Sequence, residues 1–298
     1  MNQKEINEGL QDTNINDKLI LFSALIDDAI IFGKALIEWD FEKGRKGDEN
    51  LPPLLFLRNI LELGEAISIL IKNSSIAPCK ILIRSLLENT YELIYLLGTE
   101  EENKRALSFI VWDTHEDLKF YERLNSSTVK GKKFKKELGK DKFKKYINLK
   151  IDRESLIHNT QISEALLKSP KYAEMETVFQ QLPPGMKKKW YSMSSGKINI
   201  DQLVKYLNLN ASYEIIYREF STSVHATNIG GKLVPNSEGT VSMIQNTHTE
   251  DAIFLTQFTI TFMKMSYEKY YESRIPERGQ EVNEWYLDFN KRYQELLK

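Results

Sequence analysis

Long apolar-periodic stretches, broken only where prolines and glycines gather, leave this sequence little choice but a helical fold. The eight prolines and 14 glycines among 298 residues fall between the stretches, as punctuation does in a helical protein. Helices are expected over about Asp17 to Glu42, Pro53 to Lys72, Ala77 to Leu97, Glu101 to Leu124, Ala211 to Ala226, Thr249 to Ser273 and Glu281 to Leu297. Lys43 to Asn50 reads as a polar loop closed by Pro52 and Pro53, and Asn73-Ser74-Ser75 as the tight turn of an antiparallel helix hairpin. Lys232 to Asn246 fits a small hairpin turning at Asn236 to Gly239, and fits a loop equally well. The expected class is all-α: a multi-helix bundle with a lysine-rich excursion. A single helical domain spans 1–298 in this reading, with residues 125–200 as an inserted or peripheral arm.

Charge narrows the partners. Lys and Arg number 41 against 42 Asp and Glu, so the near-neutral total argues neither for a nucleic-acid binder nor for a membrane-surface protein. Lys130 to Lys150 is locally different, with ten lysines against only Glu137 and Asp141. Lys132, Lys133, Lys135 and Lys136 are therefore candidate nucleic-acid contacts, against the plainer reading of a solvated charged arm. Cys79 is the sole cysteine, which excludes an intrachain disulfide and any cysteine-based zinc site. Ala252 to Met263, the longest uncharged apolar-leaning run, falls far short of the roughly 20 residues that span a bilayer, and Met1-Asn-Gln-Lys-Glu lacks a signal peptide's apolar stretch. A cytoplasmic protein without membrane, metal or cofactor is expected.

The segment Ala77 to Leu97 is apolar on nearly all sides and is expected to be the most buried helix. At 100° per residue, Lys80, Arg84, Glu88, Tyr91 and Tyr95 fall within about 40° of one line, so this helix carries a single polar stripe. The simple reading of Arg84 and Glu88 is a structural i,i+4 pair. Arginine before glutamate is the less favourable order, however, and burying both charges needs further groups to satisfy them. A second stripe lies on the helix ending near Ala226, where Tyr217, Ser221 and His225 sit on the shoulder of the apolar face. Glu214 and Arg218 lie further out in the favourable order for a surface salt bridge. Asn228, Gly230 and Gly231 end this helix just after His225. That leaves its imidazole at a helix C-terminus, where the macrodipole favours the protonated form.

Two signatures at these residues resemble a family of bacterial proteins of unknown function. One is Arg-x3-Glu followed by an aromatic-rich helix, matched by Arg84, Glu88 and Tyr91. The other is a tryptophan, a short helix and then Tyr-x3-Tyr-x3-Ser-x3-His, matched by Trp190, Ile200 to Leu207, Tyr213, Tyr217, Ser221 and His225. The likeness runs from about Asp17 to Ala226 and implies an all-α fold without assigning an activity. A weaker resemblance is to the HEPN superfamily of helical nucleases of toxin–antitoxin and phage-defence systems, marked by an arginine and a histidine with four to six residues between them. Arg218 and His225 have six residues between them, although Glu219 stands where that superfamily usually has Asn, Asp or His.

Two functions follow as expectations. In a metal-independent endoribonuclease, His225 would be the acid/base and Arg218 the phosphate clamp, since the RNA 2′-OH supplies the nucleophile. The HEPN likeness and the aromatic faces of the last two helices also imply a homodimer. In the non-enzymatic alternative, Arg84, Glu88, Tyr91, Tyr217, Ser221 and His225 form a polar network that is structural or binds a small anionic ligand or a protein partner. His115, Glu116 and His158 lack the paired spacing of a metal site.

Overall fold

The structure, a computed structural model, describes residues 13–98, 101–142, 152–224, 233–235, 239–243 and 250–296. These fall into two compact units, one built from Met1–Glu100 and Ile200–Lys298, the other from Glu101–Asn199.

The first unit opens with α1 (Thr13–Glu42), α2 (Leu51–Lys72) and α3 (Cys79–Leu96). Pro52 and Pro53 stand in the first turn of α2, where a missing N–H costs nothing. The α2–α3 turn is closed by the Ser75 N–H donating to Leu70 O at 2.8 Å, with Ser74 left-handed at φ +59°. Polar side chains inside this hairpin stack have partners: Ser68 donates to Asp27 at 2.6 Å. Gly33 on α1 is required by close packing, because a Cβ there would run into Leu61 and the Tyr267 hydroxyl.

The second unit comprises α4 (Glu102–Leu124), α5 (Val129–Lys140), α6 (Arg153–Lys168), α7 (Ala173–Gln181) and the short α8 (Ser192–Ser195). Val111, Tyr172, Met175 and Phe179 form its apolar cluster. Thr128 caps α5 by accepting from the Gly131 N–H at 2.9 Å, and Asp152 caps α6 by accepting from Glu154 and Ser155.

The chain then returns to the first unit through α9 (Ile200–Tyr206) and α10 (Asn210–Ser212). A π-helical turn, Tyr213–Tyr217, runs from α10 into α11 (Arg218–Val224). A two-stranded antiparallel hairpin follows, β1 (Leu233–Pro235) with β2 (Val241–Met243), pairing Leu233 with Met243 and Pro235 with Val241. Of the two readings of this segment the hairpin is the one adopted. The unit ends with α12 (Glu250–Arg274) and α13 (Gly279–Leu296). Apart from this hairpin the described elements are helical, as the periodicity predicts.

Helix α3 is central: Ile83, Leu86, Leu87, Leu93 and Leu96 are buried among α2, α11 and α12. Helix α12 is stitched in by hydroxyls, with Ser266 donating to Thr90 at 3.1 Å and Tyr267 to Ala29 O at 2.8 Å. The aromatic residues of α13 turn inward. Trp285 stacks on Phe32 of α1 at 4.0 Å, and Phe289 is fully buried, so much of the surplus that argues for a dimer in the sequence is consumed within the unit.

Candidate functional site

The polar stripe of α3 meets the helix that carries the π-turn, all within the first unit. Arg84 Nη2 donates to the Tyr217 hydroxyl at 2.7 Å, and the guanidinium carbon lies 4.6 Å from the centre of the same ring. Its Nε stands 3.3 Å from Glu88 Oε1, close enough for an ion pair but without hydrogen-bond geometry. Arg84 and Glu88 are half-buried, the Arg84 side chain being 17% exposed, so the cluster sits at the rim of the bundle and not in its core as the sequence predicts. The reason lies along the stripe. Lys80 at its start reaches outward to Asp251 at 2.7 Å, and only the far end, Tyr91 and Tyr95, is enclosed.

Tyr91 pairs its hydroxyl with Ser212 at 2.6 Å, and Ser212 donates onward to Leu209 O at 2.9 Å. Burial pushes the Tyr91 phenol up to about 12, so it remains a neutral donor. Tyr217 is also raised, first by burial, although its hydrogen bond from Arg84 works in the opposite direction. The π-turn sets this geometry by stacking Tyr213 on Tyr217 at 4.8 Å and 17°. A regular 100° projection through residues 213–217 is therefore wrong by the extra residue, which periodicity alone does not reveal.

The other candidates are placed differently. Arg218 points back along its helix to Glu214, Nε to Oε2 at 3.0 Å, with its side chain 61% exposed, and lies over the Tyr213 ring at 5.8 Å. Ser221 donates to Tyr217 O at 2.5 Å, the back-bonded hydroxyl common on helices. His225 lies outside the described residues. Lys132, Lys133, Lys135 and Lys136 are exposed on α5, and Lys133 stands 3.9 Å from Glu137. His115 donates to or accepts from Glu176 at 2.7 Å while stacked on Phe179 at 4.0 Å. Among the described residues no group of three or more His, Cys, Asp or Glu is placed to hold a metal ion. Nor is any described helix long and apolar enough to cross a membrane.

A more deeply buried network escaped the sequence reading. Asp40, near the end of α1, accepts from Tyr270 at 2.6 Å, from Arg274 Nε at 3.0 Å and from Arg45 Nε at 3.0 Å. The Asp40 and Arg274 side chains are 1% and 3% exposed. Asp40 follows Leu36 by one helical turn and so falls on the buried face, a signal present in the sequence. Its partners come from a loop and from a helix more than 200 positions away, which local spacing does not connect.

A family model described as a family of unknown function, DUF5677, matches residues 50–239. The chain belongs to this family. No curated protein and no solved structure matches it. The DUF5677 span takes in Arg84, Glu88, Tyr91 and Tyr217 together and leaves out Asp40 and Arg274. An uncharacterised helical family is what the two signatures imply, whereas the HEPN likeness of Arg218 and His225 gains nothing from the match.

Proposed function

We propose that this protein binds a small anionic ligand or a protein partner and does not cleave RNA, with Arg84, Glu88 and Tyr217 as the lock that holds the π-turn helix on α3. The observation that carries this reading is the commitment of Arg84: one nitrogen to a phenol, its face to the same ring and its Nε beside a carboxylate. A guanidinium engaged in this way has little left for a phosphate, and Glu88 already balances its charge. Arg218 is paired too, in a surface salt bridge worth about 0.3–0.5 kcal/mol. Such a pair is easily exchanged, but a residue held there is not preorganised for a developing phosphorane.

The test sets binding against nuclease chemistry directly. Purified protein is incubated with RNA in EDTA, beside His225→Ala and Arg84→Ala. Under the binding reading the RNA stays intact in every case and Arg84→Ala lowers the melting temperature. Metal-independent cleavage that disappears in a folded His225→Ala variant would establish the endoribonuclease instead, with Arg218 as clamp. The homodimer is a separate proposal, checked by light scattering over a wide concentration range. Phe254 and Leu287 are exposed apolar residues available for it to cover.

A further inference from the structure

The second unit holds a cavity of about 480 Å³ where the α4–α5 loop, α5 and the start of α6 converge. That volume falls within the range of small-ligand sites. Leu124, Phe134, Leu138 and Leu156 supply apolar wall, and none of the lining belongs to the Arg84 cluster. Arg153, Lys135 and Ser126 line the same cavity.

The acids near this wall are already engaged. Glu122 is engaged by Lys130 at 2.7 Å, Glu137 stands opposite Lys133 at 3.9 Å, and Asp152 is turned into its own helix as the cap of α6. Among the described residues Arg153 reaches a hydroxyl, Ser126 Oγ at 3.4 Å, and neither Arg153 nor Lys135 stands in an ion pair. Two cations on the wall of a partly apolar cavity, paired with no carboxylate among the described residues, favour an anion brought from outside.

The loop that shapes this cavity is held firmly. Asn125 Oδ1 accepts from the Ser127 N–H at 3.0 Å and from its hydroxyl at 2.6 Å. Thr128 donates to Glu122 O at 2.7 Å and caps α5. Gly131, another lining residue, lets the Asn125 carbonyl approach so closely that a Cβ would collide with it. The first turn of α5 is thereby fixed beside the cavity, and its N-terminal dipole adds to the positive potential.

We infer that this cavity binds an amphiphilic organic anion, its apolar body against Leu124, Phe134, Leu138 and Leu156 and its anionic head on Arg153, Lys135 and Ser126. The inference stands on residues separate from Arg84, so its failure leaves the proposed role of that cluster untouched.

Calorimetric titration of the full chain tests it with decanoate, decyl phosphate, decanol and inorganic phosphate, all below micellar concentrations. One-to-one binding of decanoate or decyl phosphate is expected, with decanol at least about tenfold weaker, as the loss of a charge-assisted hydrogen bond implies. Whichever anion binds more tightly identifies the head group. Arg153→Gln and Lys135→Gln, both at exposed positions, should each weaken it by about tenfold with unchanged circular dichroism. Leu138→Trp should abolish binding by filling the cavity; should it unfold, the two charge variants decide alone. The inference is overturned by no saturable binding, by decanol binding as tightly as the anions, by inorganic phosphate matching decyl phosphate, or by indifference to Arg153→Gln.

Discussion

Arg84 and Tyr217 touch twice: the guanidinium donates to the phenol at 2.7 Å and its carbon lies 4.6 Å from the ring centre. One residue pair thus carries both a charge-assisted hydrogen bond and a cation–π contact between α3 and the π-turn. Arg84→Ala should destabilise the protein by about 2–3 kcal/mol, less than a fully enclosed ion would cost, because 17% of the side chain reaches water. Tyr217→Phe keeps the ring and should cost only about 1 kcal/mol. Urea unfolding of the two variants and of their combination measures the coupling; strict additivity would mean that the contact contributes nothing.

Asp40 offers the sharper contrast. Removing it strands Arg274 in a nearly closed interior, so Asp40→Ala should cost about 3–5 kcal/mol. Arg58→Ala, which breaks the exposed pair with Glu62 at 2.8 Å, should cost no more than about 0.5 kcal/mol. Equal losses in chemical denaturation would refute the importance given to burial.

Alkaline pH should unfold this protein through its phenols. Burial raises Tyr91 to about 12 and also raises Tyr267 and Tyr270 well above the ordinary phenol value, the last also because Asp40 faces it. A folded pKa above the unfolded value near 10 stabilises the native state fully below pH 10, and that contribution is lost as pH climbs through the folded values. The urea midpoint should therefore fall between pH 10 and 12, with a tyrosinate absorbance step accompanying unfolding. Tyr91→Phe should flatten part of the slope; a midpoint independent of pH in that range would contradict the assignment.

Cys79 should be inert. It is fully buried, and burial raises its thiol to about 12, so almost no thiolate exists at neutral pH. An alkylating reagent at pH 8 should label the denatured protein and leave the native one unmodified over the same interval.

Much of the fold was legible because helical periodicity and punctuation are local. The Pro52-Pro53 start of α2, the Ser74 turn and the inward face of α3 all follow from neighbours within a few residues. The stripe through Arg84 and Glu88 was legible for the same reason, and the second stripe contains Tyr217, which Arg84 reaches in the fold. Its depth was not legible, since that depends on which neighbour covers the edge at Lys80. The π-turn hid because Tyr-x3-Tyr spacing looks the same with or without one extra residue in the ladder. Helix α4 reads as another amphipathic helix, and nothing in its own pattern says that Val111 joins Tyr172 and Phe179 in the second unit. The Asp40 network required a partner 234 positions away.

That separation also governs how the protein is made. Ser266 meets Thr90 across 176 positions of chain, so α1 to α3 leave the ribosome long before the helix that covers them exists. Because these partners stand so far apart in the chain, closure of the first unit waits for synthesis of α12, and the waiting hairpin stack shows bare apolar surface meanwhile. Nascent chains halted before residue 250 should recruit holdase chaperones, and release should come only once Tyr267 and Arg274 have emerged.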